Sequence, residues 1–116
     1  MTIDPFDVAW MHVGFVQGQG GKKRPILILK SQDNQLFFYA ITSKFIQKSA
    51  TIQKQHAPIM KWREVGGLTK PSFIDVGQIF SVDISATDTI EVTGRLTRED
   101  VVNLKQTVER FEAFRS

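Results

Sequence analysis

The sequence predicts a mainly β fold: a small, strongly curved barrel with one long helix packed against it. Three observations carry this prediction. Roughly five segments rich in β-branched and aromatic residues follow one another between residues 8 and 96, most of them with short connections. Only one stretch, from about residue 98 to 114, carries a long helical apolar period. No repeat, low-complexity tract or linker divides the chain, so residues 1–116 read as a single domain.

The elements follow in order. Val8 to Val16 reads as a strand. In the next segment Gly18, Gly20 and Gly21 fall within four positions, too many for a regular interior, which makes 17–23 a loop. Pro25 has no N–H to give a ladder and is expected to open the next strand. Ile26–Leu29 is a continuous apolar run, the pattern of a strand buried on both faces. Gln32–Gln35 is a turn, and Leu36–Ile41 returns to complete a hairpin that ends at Thr42-Ser43-Lys44. Residues 45–57 are polar and basic without a period and read as a long loop holding one short strand. Pro58 to Val65 reads as a short helix stopped by Gly66-Gly67. Strands follow at 72–80 and 89–96. Thr97 then supplies a helix cap, Glu99 and Asp100 lie in the first turn, and Val101, Leu104, Val108 and Phe111 form one apolar stripe.

Composition narrows the chemistry. There is no cysteine, which excludes disulfides, thiolate zinc sites and cysteine nucleophiles. The histidines, His12 and His56, are far apart and lack carboxylates at ligand spacing, so no metal is expected. The glycine-rich 18–23 segment lacks the phosphate-loop pattern and leads into a strand rather than a helix. No cofactor motif is present. No apolar run approaches the ~18 residues of a membrane helix, and the acidic N-terminal residues do not form a signal peptide. The expectation is a cytoplasmic protein with no membrane association.

The net charge is +3, but its distribution is uneven. From Lys22 to Lys70 there are ten Lys/Arg and two acids, an excess of eight positive charges; the remainder holds five bases and ten acids. The middle segment is suited to an anion, nucleic acid first, with a solvated basic surface as the plain alternative. Within it, Lys22-Lys23-Arg24-Pro25 and Thr42-Ser43-Lys44 stand out. Folded as a hairpin, 26–29 and 36–41 bring Arg24 and Thr42 near the end opposite the turn. A guanidinium beside a hydroxyl suits a phosphate. A surface charge and a strand-ending threonine would give the same pattern.

With these residues in place, the chain resembles the MazF/PemK toxins of toxin–antitoxin systems. The matching pieces are Trp10, the glycine-rich loop into Lys23-Arg24-Pro25, Ile26–Leu29, Ile41-Thr42-Ser43, Gly67–Ser72, Gln78-Ile79 and Gly94–Thr97 ahead of the final helix. They run in order over roughly residues 6–112. The resemblance implies an SH3-like barrel with a long C-terminal helix, a homodimer, and an acidic antitoxin as protein partner. It implies an endoribonuclease that cuts single-stranded RNA without metal by 2′-OH attack, leaving 2′,3′-cyclic phosphate and 5′-OH ends. The residues matching the family's catalytic pair are Arg24 and Thr42. Those matching its RNA-contacting positions are Phe15, Lys22, Lys23, Ser43, Lys44 and Gln78. Phe45 and Trp62 are further candidates for base stacking, with a core role the alternative for Trp62.

The chain also departs from the pattern. Where many members have Asp-Gln it has Gly77-Gln78, and Asp75 stands where some have a basic residue. Gln17 and Gln19 occupy the loop that carries a histidine or glutamate in some members. The alternative reading is therefore a barrel that binds RNA or a protein without cutting. The sequence leaves the general base open.

Overall fold

The computed structural model describes residues 3–12, 23–43, 53–86 and 90–115. Six strands and two helices occupy them: β1 Asp7–His12, β2 Lys23–Gln32, β3 Gln35–Thr42, β4 His56–Pro58, α1 Trp62–Val65, β5 Phe73–Asp83, β6 Ile90–Arg95 and α2 Arg98–Arg115. A 3-10 turn, Ile84–Ala86, follows β5. The strands form one antiparallel sheet in the order β4-β5-β3-β2-β1-β6.

Both faces of this sheet are buried, for the reason the sequence suggested. Ile26, Leu27 and Ile28 are each at most 1% exposed, and alternation sends them to opposite sides. Leu27 joins Val8, Tyr39, Ile41, Ile74 and Val76 under the apolar stripe of α2. Ile26 and Ile28 join Ala9, Met11, Leu36, Phe38 and Ile90 on the other face. Among the described residues no α-helix contributes to that second cluster. Phe80, which packs against it, stacks on Phe38 at 5.6 Å.

The mainly β class with a long C-terminal helix is as expected. In its hydrogen bonds, however, the sheet is open: β4 and β6 are its two edges. The segment between β4 and β5 spans the gap instead. Thr93 Oγ1 on β6 donates to the Gly66 carbonyl at 3.2 Å. A side chain at Gly94 would collide with the Val65 carbonyl, and one at Gly66 with the Thr93 carbonyl, so glycine at these positions permits direct backbone contact.

The helix cap is also as predicted. Thr97 Oγ1 accepts from the Asp100 N–H at 3.3 Å. Asp100 itself does more than favour a helix start. Its carboxylate is 2% exposed and accepts from the N–H groups of Met60 (2.8 Å) and Lys61 (2.9 Å), tying the entry of α1 to the first turn of α2. Trp62 is partly buried against the core, and Arg63 lies over its ring at 4.9 Å.

Several boundaries differ from the sequence expectation. α1 begins at Trp62 rather than at Pro58, because Pro58 ends β4 in register with Phe73 of β5. β2 begins at Lys23 rather than at Pro25, because β1 pairs with Lys23 and Arg24. β5 runs on to Asp83, because Gln35–Phe38 of β3 pair with its far half.

Candidate functional site

The site begins with a hairpin and a bulge. Asp33 and Asn34 have φ of 54° and 64°, the left-handed pair of a two-residue turn, and Gln32 faces Gln35 across it. Counted straight from that turn, Arg24 would face Ser43 and lie on the opposite side of the sheet from Thr42. A register shift between Ile28 and Lys30 changes this: beyond it Ile28 faces Phe38 and Ile26 faces Ala40. Arg24 lies two residues before Ile26 and Thr42 two after Ala40, so alternation puts both on one face. The extra residue in β2 is what brings the guanidinium and the hydroxyl to the same side.

At that point the two strands part. The β2–β3 ladder stops at Ile26–Ala40, where Pro25 has no N–H to extend it. Arg24 and Lys23 remain paired with Met11 and His12 of β1, and Thr42 with Phe73 of β5. A cavity of about 300 Å³ fills the opening. Lys23, Arg24 and Pro25 form one wall, and Ile41, Thr42 and Ser43 the second. Leu68, Thr69, Lys70 and Ser72 form the third, with Trp10 at the junction.

Among the described residues the lining holds three cations and no carboxylate. Lys23 reaches the exposed Glu91 at 3.5 Å. Arg24 and Lys70 have no ion pair among the described residues. A half-buried arginine and a lysine without counter-charge, in a lining with the hydroxyls of Thr42, Ser43, Thr69 and Ser72, make a local field suited to a phosphodiester.

Of the residues singled out in the sequence, Lys23, Arg24, Thr42 and Ser43 therefore share one cavity. Gln78 does not line it. β5 bulges between Asp75 and Phe80, with Val76–Ile79 opposite Tyr39 alone, and Gln78 is exposed on that bulge. Phe15, Lys22, Lys44 and Phe45 lie outside the described residues. The Leu68–Ser72 wall went unassigned as a site in the sequence reading. Its signal was there: a Thr-Lys pair between Gly66-Gly67 and Pro71.

Asp75 and Gly77, the two departures, have a structural account. Asp75 Oδ1 accepts from the Gly77 N–H at 2.9 Å and from Gln55 Nε2 at 3.0 Å. A Cβ at Gly77 would press on that same Gln55 amide. The Gln55 side chain thus fills the space that a side chain at position 77 would enter. His56 Nε2 lies 3.9 Å from Asp75 Oδ2, at the β4 edge, while His12 lies on β1 on the far side of the sheet. Among the described residues no group of three potential metal ligands exists, and no helix is long and apolar enough to cross a membrane. A second cavity, of about 380 Å³, lies between His56 and the α2 residues Thr107, Arg110 and Phe111, away from the parted strands.

Comparison with known proteins agrees with this fold. A search of curated proteins returns no match. Solved structures do match. The Mycobacterium tuberculosis toxin MazF-mt6 is 16% identical, with a TM-score of 0.62 over 90% of this chain and 93% of that one. MazF (Form-I) from Deinococcus radiodurans is 13% identical, with a TM-score of 0.64 over 97% and 98%. The MazE-MazF (Form-II) structure from the same organism gives 12% and 0.65 over 96% and 95%. At these identities the likeness concerns the fold. The family itself follows from a sequence model covering residues 4–111, nearly the whole chain, so the protein belongs to the PemK-like, MazF-like toxins of type II toxin–antitoxin systems.

Proposed function

We propose that the protein is a metal-independent endoribonuclease that cuts single-stranded RNA at the cavity between β2 and β3. The observation that carries this is the convergence of Arg24 and Thr42 on one cavity that, among the described residues, no carboxylate lines. In the proposed reaction a ribose 2′-oxygen attacks the adjacent phosphorus and the bond to the 5′-oxygen breaks. The 2′-proton passes to solvent and the departing 5′-oxygen takes one up. The products are a 2′,3′-cyclic phosphate and a 5′-OH. Arg24 clamps the non-bridging oxygens and neutralises the charge that builds on the phosphorane, and Thr42 donates a hydrogen bond to it. Arg24 stays protonated throughout. Lys23 and Ser43 contact the RNA within the cavity, with Phe15, Lys22 and Lys44 from the adjoining segments, and Gln78 meets the strand outside it.

The test is incubation of a long single-stranded RNA with purified protein in EDTA, with Arg24→Ala in parallel, and mapping of the new ends. Discrete cuts with 5′-OH ends, absent in a folded Arg24→Ala variant, are expected. Full activity in that variant would remove the proposal. One observation favours a second reading, binding without cleavage: Gln55 occupies the space beside Gly77 where a family carboxylate would stand. Intact RNA that is nonetheless held tightly would select it.

The reading extends to partners. The excess of positive charge between Lys22 and Lys70 suits an acidic antitoxin segment as well as it suits RNA. Homodimerisation and a cytoplasmic location complete the proposal.

A further inference from the structure

We propose that the Leu68–Ser72 wall is a second phosphate subsite, with Lys70 as its cation, holding the backbone phosphate next to the one at Arg24. This rests on the reading of the cavity as an RNA site. Arg24 and Lys70 face the same cavity of about 300 Å³ from different elements, and neither has an ion pair among the described residues. A phosphodiester carries one negative charge, so a single phosphate at Arg24 leaves Lys70 without a counter-charge. A strand of RNA supplies the next one.

The other described lysines make the contrast. Lys23 and Lys61 reach Glu91 and Glu99, at 3.5 and 3.9 Å. Lys30 and Lys105 lie over the rings of Phe37 and Phe6, at 5.0 and 5.8 Å. Lys54 also has an interaction of its own. Lys70 alone among them has no ion pair or ring contact through its side chain.

The backbone that presents Lys70 is fixed at both ends. On one side the Gly67 carbonyl accepts from Trp10 Nε1 at 3.1 Å, and the Gly66 carbonyl from Thr93 Oγ1 at 3.2 Å. On the other, the Lys70 carbonyl accepts from Ser72 Oγ at 2.9 Å. Ser72 is 6% exposed, and its carbonyl accepts from the Ile59 N–H at 2.9 Å. Pro71 fixes its own φ and biases Lys70 toward an extended conformation. A lysine that only solvates a surface needs no such support. One that must hold a phosphate gains from it, because less freedom is lost on binding.

The test compares wild type, Lys70→Gln and Lys70→Arg, each checked for an unchanged melting temperature. The binding probe is a single-stranded RNA, 2′-O-methylated throughout so that it cannot be cut, spanning a mapped cleavage site. Affinity is measured between about 50 and 200 mM NaCl. Lys70→Gln is expected to reduce the slope of log affinity against log salt by about 0.7, one phosphate contact on a single strand. It should also weaken binding and raise KM five- to tenfold, with less than twofold change in kcat, and Lys70→Arg should restore all three. A Lys70→Gln protein with wild-type slope and KM overturns the subsite and leaves the cleavage proposal standing. Wild-type protein that neither binds nor cuts single-stranded RNA overturns both.

Discussion

Replacing Asp100 with alanine should cost about 3 kcal/mol, although Asp100 lies at the start of a helix and on neither cavity wall. The carboxylate accepts from two backbone N–H groups, at 2.8 and 2.9 Å, and is 2% exposed. Hydrogen bonds to a charged acceptor contribute ~1.5–3 kcal/mol each. Met60 and Lys61 are themselves exposed, so water can reach their freed N–H groups, which favours the lower end of that range. For a chain of this length the unfolding entropy is roughly 0.24 kcal/mol per kelvin, which turns the loss into a melting temperature lower by about 12 °C. Thermal unfolding of Asp100→Ala beside Glu99→Ala measures it. Glu99 makes only an exposed contact to Lys61 and should cost under ~0.5 kcal/mol. Amide exchange at Met60 and Lys61 gives the local reading, since both should lose protection in Asp100→Ala. If the two variants melt together, the link between α1 and α2 does not bear on stability and the reasoning fails.

Two further outcomes can be checked. Among the described residues the cavity lining contains no His, Asp or Glu, and neither do residues 13–22 or 44–52 that adjoin it in the chain. Cleavage should therefore rise steadily from pH ~6 to ~8; a bell with a limb near the ordinary imidazole pKa of about 6.5 in a pH–rate profile would mean that a histidine takes part. Gly77→Asp should displace the Gln55 amide and set a second carboxylate near Asp75. The melting temperature should therefore fall by a few degrees. Gly77→Asn, which adds the same bulk without the charge, separates the causes: an equal fall would point to steric strain, a smaller one to repulsion between the carboxylates.

Much of this molecule was legible because its signals are local. The cap at Thr97 and the stripe Val101, Leu104, Val108 and Phe111 lie within one helix, and the turn at Asp33-Asn34 lies between its own strands. The site was legible in part. Counting from the turn brings Arg24 and Thr42 to one end of the hairpin, but the shift between Ile28 and Lys30 decides which face each takes, and no residue there announces it. The third wall was out of reach for another reason. Leu68–Ser72 meets the cavity only because Trp10, Thr93 and Ile59, all distant in the chain or on other elements, hold it there. Asp100 is similar: its place in the sequence suits a helix start, while its partners lie about forty residues away.

The glycine seam between the edge strands has a mechanical consequence. An edge closed by a ladder resists separation over its whole length, because each hydrogen bond must break in turn. Here β6 is joined to the segment after β4 by close backbone contact at Gly66 and Gly94 and by the hydroxyl of Thr93. The Lys70 wall follows directly on the segment that makes that join, while the Arg24 and Thr42 walls lie on strands paired to their outer neighbours. The two edges are thus held by a few closely packed contacts, so a bulkier residue at Gly66 or Gly94 would force them apart and carry the Lys70 wall with them.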